Sequence, residues 1–104
     1  MANKTVALKM DKVRNLKYGI NAIIQLEELM GRSVSEMTDD VSMKDLRTML
    51  YVGLKWEDKE LTEELTGDLM DLAIENEGME EVSNKIGKAF QLAFGGTAAP
   101  SAKK

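Results

Sequence analysis

The segment Leu16–Gly31, LKYGINAIIQLEELMG, constrains this chain more than any other. A short β-like run passes there into a helical pattern. Asn21 is a suitable N-cap, because its side chain can accept from an unpaired amide of the first turn. Ile20, Ile23, Ile24, Leu26, Leu29 and Met30 then form a broad apolar stripe. Gly31 is a natural residue to end it, since glycine takes the left-handed conformation without a Cβ penalty. Periodicity and capping alone describe a small helical domain and leave its function open.

Ahead of this segment, residues 4–18 read as a β-hairpin. Val6, Leu8 and Met10 alternate with Ala7 and Lys9, Asp11-Lys12 makes a turn, and Leu16 and Tyr18 alternate with Lys17 on the return. A lone hairpin is marginal in water, so its apolar face must pack on helices. After a polar link at 32–41, which holds Val34 and Met37, Ser42-Met-Lys-Asp45 resembles a capping box with Asp in the usual Glu position. Leu46, Met49, Leu50, Gly53 and Leu54 follow at helical spacing. Gly53 either ends this helix or admits a close neighbour. Thr62 caps a third helix with Leu65, Leu69, Leu72 and Ala73 inward, or Thr66 is the cap, because Gly67 weakens the first turns. Glu77-Gly78 ends it. Met79, Val82, Ile86, Ala89, Phe90, Ala93 and Phe94 give the most regular stripe in the chain. The predicted architecture is one mainly α domain over 1–94, with a short N-terminal hairpin on about four helices. Residues 95–104, GTAAPSAKK after Gly95, are a flexible tail without periodicity.

Composition excludes more than it identifies. With no cysteine and no histidine among 104 residues, disulfides, thiolate metal sites and the commonest general base are absent. The N-terminal residues hold no apolar run of signal-peptide length, and no stretch approaches the ~20 apolar residues of a membrane span. No serine sits in a G-x-S-x-G elbow, and no phosphate-binding glycine motif occurs. Asp39/Asp40, Glu63/Glu64 and Glu80/Glu81 are sequence neighbours that point to different azimuths on a helix, so they do not form acid–base pairs. The run 38–45 lacks the ligand spacing of a calcium loop. The expectation is a non-enzymatic protein with no cofactor and no metal.

Charge is lopsided. Residues 57–81 hold eleven Asp and Glu against Lys59 alone, whereas residues 1–18 hold Lys4, Lys9, Lys12, Arg14 and Lys17 against Asp11. Such an acidic face repels phosphate backbones and argues against nucleic acid as a partner; the simpler explanation is an ordinary solvated helix face. The two segments can attract each other within one molecule, or between molecules as weak head-to-tail homo-oligomers.

The candidate partner-binding residues are Tyr51, Trp56, Phe90, Phe94, Met49 and Met70. Methionine suits surfaces that accept varied helices, but it also fills gaps in small cores. Trp56 either caps the core or serves an interface, and Phe90 and Phe94 carry the same ambiguity.

The order of these motifs resembles the tail assembly chaperones of long-tailed bacteriophages, prophages and gene transfer agents. The matching residues are Leu16, Tyr18, Gly19, Asn21, Ala22, Leu26, Glu27, Glu28 and Gly31, then Asp45, Leu46, Arg47, Leu50, Gly53, Leu54, Leu61, Thr62, Glu64, Gly67 and Leu69. They are helix-packing residues spread over about residues 5–92. The resemblance implies a small, mainly helical, non-enzymatic protein of the host bacterial cytoplasm. It implies action on the tape measure protein and its assembly with tail tube subunits, and absence from the finished virion. Many such proteins are made in two lengths by frameshifting near the end of the shorter product. The rival readings are a small acidic regulatory or DNA-mimic protein and a structural tail component retained in the particle.

Overall fold

The computed structural model describes residues 5–33 and 41–93. Two strands, β1 (Val6–Lys9) and β2 (Val13–Leu16), precede four helices: α1 (Ile20–Met30), α2 (Met43–Leu54), α3 (Glu63–Glu77) and α4 (Met79–Ala93). The mainly helical fold with an N-terminal hairpin is as the sequence predicts. Val34, Met37, Phe94 and the tail expected at 95–104 lie outside the described residues.

The strands pair antiparallel, with Val6 opposite Leu16 and Lys9 opposite Val13. The turn is therefore three residues, Met10–Lys12, closed by the Met10 amide donating to the Lys12 carbonyl at 2.9 Å. This register places Val6, Leu8, Arg14 and Leu16 on the buried face and Ala7, Lys9 and Val13 outside. Arg14 thus departs from the basic surface expected of the segment. It is drawn inward by Asp11, whose two oxygens accept from Nε at 2.8 Å and Nη2 at 3.0 Å, and by Asp58, which accepts from Nη1 at 3.2 Å.

α1 begins two residues earlier than its asparagine suggests. The first helical bond runs from the Ile23 amide to the Gly19 carbonyl, and Gly19 is the N-cap without a side-chain bond. Asn21 lies inside the first turn and is exposed. The chain enters the helix directly as it leaves the anchored Tyr18, so tertiary placement overrides the preference of Asn for the cap. At the other end Gly31 has φ 72° and donates its amide to the Glu27 carbonyl, as a left-handed glycine stop requires.

The capping box at α2 is present: the Asp45 amide donates to Ser42 Oγ at 3.1 Å and the Ser42 amide donates to Asp45 Oδ2 at 3.2 Å. Gly53 does not end this helix; it admits a close neighbour. A Cβ there would lie 2.7 Å from the Tyr18 ring and 3.0 Å from Leu16. Through this slot the Lys17 amide reaches the Gly53 carbonyl at 3.0 Å, which ties β2 to α2.

Thr62 is the cap of α3, accepting from the Leu65 amide at 3.1 Å. Thr66 is instead fully buried, its hydroxyl donating to the Thr62 carbonyl at 2.7 Å. That internal bond satisfies the hydroxyl and lets threonine occupy a core position. The inward face is consequently Thr66, Leu69, Met70 and Ala73, and Leu65, expected inward, is half exposed. Gly67 leaves room for the stem of Arg47, whose Cδ would touch a Cβ at 3.4 Å. α4 buries Val82, Ile86, Ala89 and Phe90, as its stripe predicts.

The helices pack in sequence, α1 on α2, α2 on α3 and α3 on α4, while β1 lies against α3 and α4 and β2 against α2. Leu8, Leu16, Leu26, Leu50, Leu54, Val82 and Ile86 are fully enclosed in one continuous core.

Candidate partner-binding surface

A two-stranded sheet has two open edges, and exposed edges invite pairing with other chains. Here side chains from the turn after α2 and from the end of α3 bond to one edge each. On the β2 side, the Asn15 amide donates to Glu57 Oε1 at 3.1 Å, and Trp56 Nε1 donates to the Asn15 carbonyl at 2.8 Å. On the β1 side, the Lys9 amide donates to Glu77 Oε2 at 2.8 Å, and Asn76 Nδ2 donates to the Lys9 and Met10 carbonyls at 3.2 and 3.0 Å. Glu77 also holds Lys85 of α4 at 2.6 Å. The basic hairpin and the acidic segment thus meet within one chain, through Arg14–Asp58 and the contacts of Glu57 and Glu77.

These contacts shift the carboxyls in one direction. The Arg14 hydrogen bond holds Asp11 down to about 2. Glu57 is lowered by the Asn15 side chain, and Glu77 by Lys85. A carboxyl depressed by folding stabilises the native state above its unfolded value and loses that contribution as pH falls through the folded value. Stability carried by these three groups is therefore expected to hold from neutral pH down to about pH 4.5 and to be lost in more acid solution, the part carried by Asp11 as pH falls towards about 2. Urea midpoints of the wild type and Glu77→Gln check this: their separation should be largest at neutral pH and vanish in acid. A separation that persists at low pH would assign Glu77 a role other than its charge.

The six residues singled out by sequence do not share a surface. Met49 and Met70 are core residues, each 5 % exposed, and Phe90 stacks in the core against Tyr18 with ring centroids 4.4 Å apart. Buried, they can reach a partner only if the domain opens. Met10 is buried with them, so the methionines here chiefly fill gaps, and Met43 is the one described as largely exposed. Tyr51 is half-buried and takes Lys55 Nζ both at its hydroxyl, 2.9 Å away, and over its ring. Trp56 is 43 % exposed, with Lys17 Nζ 5.0 Å from its ring centroid. It seals a sheet edge with one side and faces solvent with the other.

Of the exposed large apolar residues, sequence reasoning singled out Trp56 alone. They are Val13, Ile20, Ile24, Leu29, Met43, Trp56 and Leu65. Three belong to α1, whose stripe is wider than its main contact with α2, so Ile23 and Leu26 are buried while Ile20, Ile24 and Leu29 stay exposed. That width was the available signal. On α3, Glu64, Asp68, Asp71 and Glu75 are all exposed and share one face at helical spacing. Among the described residues no helix is long and apolar enough to cross a membrane. Comparisons with family models, with curated proteins and with solved structures gave no match.

Proposed function

We propose that this chain is a tail assembly chaperone of the long-tailed phage type, a non-enzymatic protein that holds helical segments of a tape measure protein until tail tube subunits replace it. The sequence resemblance is the observation that carries this reading. The roles of its residues support it: Gly53 receives Tyr18 and Leu16, Gly67 lies under the stem of Arg47, Thr62 caps α3 and Gly31 stops α1. A tape measure protein is long and helix-rich, with apolar seams to be covered reversibly. The bare isoleucines of α1 are suited to such seams. The site of action is the cytoplasm of the host, and the protein leaves before the particle is complete.

Co-expression with a tape measure protein of a long-tailed phage tests the proposal. The partner is expected to move to the soluble fraction and to co-purify, and the chaperone should be missing from purified particles. A partner that stays insoluble overturns the chaperone role, and retention in particles would favour a structural component.

A second reading rests on the acidic face of α3. Carboxylates one turn apart, at 64, 68, 71 and 75, can stand in for a run of phosphates, as in a DNA-mimic regulator. Such a protein would capture a basic nucleic-acid-binding partner and leave tape measure solubility unchanged.

A further inference from the structure

From α1 we infer the docking face for the client: the exposed stripe Ile20–Ile24 receives an amphipathic helix whose apolar residues are flanked by lysine or arginine. The inference rests on the chaperone reading and gives it a surface.

Ile20 and Ile24 are 68 and 48 % exposed. Four residues apart, they lie one above the other on the same helix face. Their shoulder faces away from Ile23 and Leu26, which pack on α2. The next turn on this side brings Glu28, which is exposed. α1 contains no basic residue, and Glu28 adds its carboxylate to the negative end of the helix dipole. Arg32, the first cation after the helix, is held by Asp45 at 2.9 Å. An incoming helix that matches this face presents two apolar residues one turn apart and a cation one turn beyond them. The α1 of a second copy matches it poorly, since it would bring the same carboxylate and no cation. Val13, Met43 and Leu65 are also exposed, but each stands alone on its element.

The probe is a synthetic amphipathic peptide with one leucine stripe flanked by lysines, compared with the same peptide flanked by glutamates. Amide resonances of the labelled full chain report where it sits. Expected are shifts at Ile20, Ile24 and Glu28 with the lysine peptide, little response to the glutamate peptide, and affinity about tenfold weaker in Ile20→Gln/Ile24→Gln. Thermal melts confirm that the variant folds; Ile20→Ser/Ile24→Ser replaces it if it does not. Shifts centred on Glu64–Glu75 of α3, equal binding of both peptides, or undiminished affinity in the variants each overturn the inference. So do α1 shifts that change on dilution without peptide, which would mean that a second copy covers the face. In the co-expression assay, wild type that solubilises the tape measure protein while the double variant does so equally removes α1 and keeps the chaperone. Wild type that fails there removes the chaperone itself, whatever the peptide does.

Discussion

Ile86→Ala is expected to cost the folded state about 2–5 kcal/mol. Ile86 is 1 % exposed and sits midway along α4, where β1, α2 and α3 converge on the helix. Truncation removes three carbons from a site one turn after the fully buried Val82, on a helix that packs against β1. Cavity cost adds to the lost transfer energy, because surroundings held by the hairpin on one side and α2 on the other have little freedom to collapse. A domain of this size has about 5–15 kcal/mol in total, so the variant should lose a large share of its stability. Urea denaturation monitored by Trp56 fluorescence measures it. A loss under about 1 kcal/mol would mean that the stripe of α4 is not the core that its burial implies.

Ile86 was legible in the sequence because α4 obeys one period throughout, with charges confined to the opposite face. Ser42–Asp45 was legible for a similar reason: a capping box is local, and nothing distant competes with it. Misreadings arise where a distant contact decides. Asn21 has good capping chemistry, but Tyr18 is anchored to α2 and fixes where α1 can start. Arg14 looks like one more surface cation until Asp58, far along the chain, is placed beside it. Leu65 looks more apolar than Thr66, yet threonine can bond to its own helix and accept burial.

The candidate surface was less legible than the fold. Met49, Met70 and Phe90 have the composition of an interface, but composition does not distinguish a flexible side chain that fits a partner from one that fills a core gap. For α1 the sequence shows an apolar arc without showing how much of it α2 covers. Only the packing separates Ile23 and Leu26 from Ile20 and Ile24. The same lesson applies to charge. Totals over 57–81 do not reveal that Glu57, Asp58 and Glu77 are spent on the hairpin while Glu64, Asp68, Asp71 and Glu75 remain outside.

The second large effect is one of sign. A glycine inside an exposed helix is expected to gain about 1 kcal/mol on replacement by alanine. Gly53→Ala is expected to lose stability instead. Its Cβ would lie 2.7 Å from Cζ and the hydroxyl oxygen of Tyr18, closer than nonbonded atoms approach. The ring cannot swing away freely: its hydroxyl donates to the Met49 carbonyl, the tilted Phe90 ring lies beside it with centroids 4.4 Å apart, and it is 3 % exposed. Leu16 closes the other side at 3.0 Å. Overpacking of this kind costs about 1–3 kcal/mol, which outweighs or cancels the helical gain. The backbone bond from Lys17 to Gly53 passes through the same slot, so pushing the hairpin outward also strains that link. Tyr18→Leu provides the control. Leucine lacks the ring atoms that clash, so in that background Gly53→Ala should become neutral or stabilising, and the double-mutant cycle should return a coupling of about 1–3 kcal/mol. Thermal and urea unfolding of the four proteins measure it. If Gly53→Ala stabilises the wild type by about 1 kcal/mol, the hairpin does not rest in that slot and Gly53 is only a weak point in a helix.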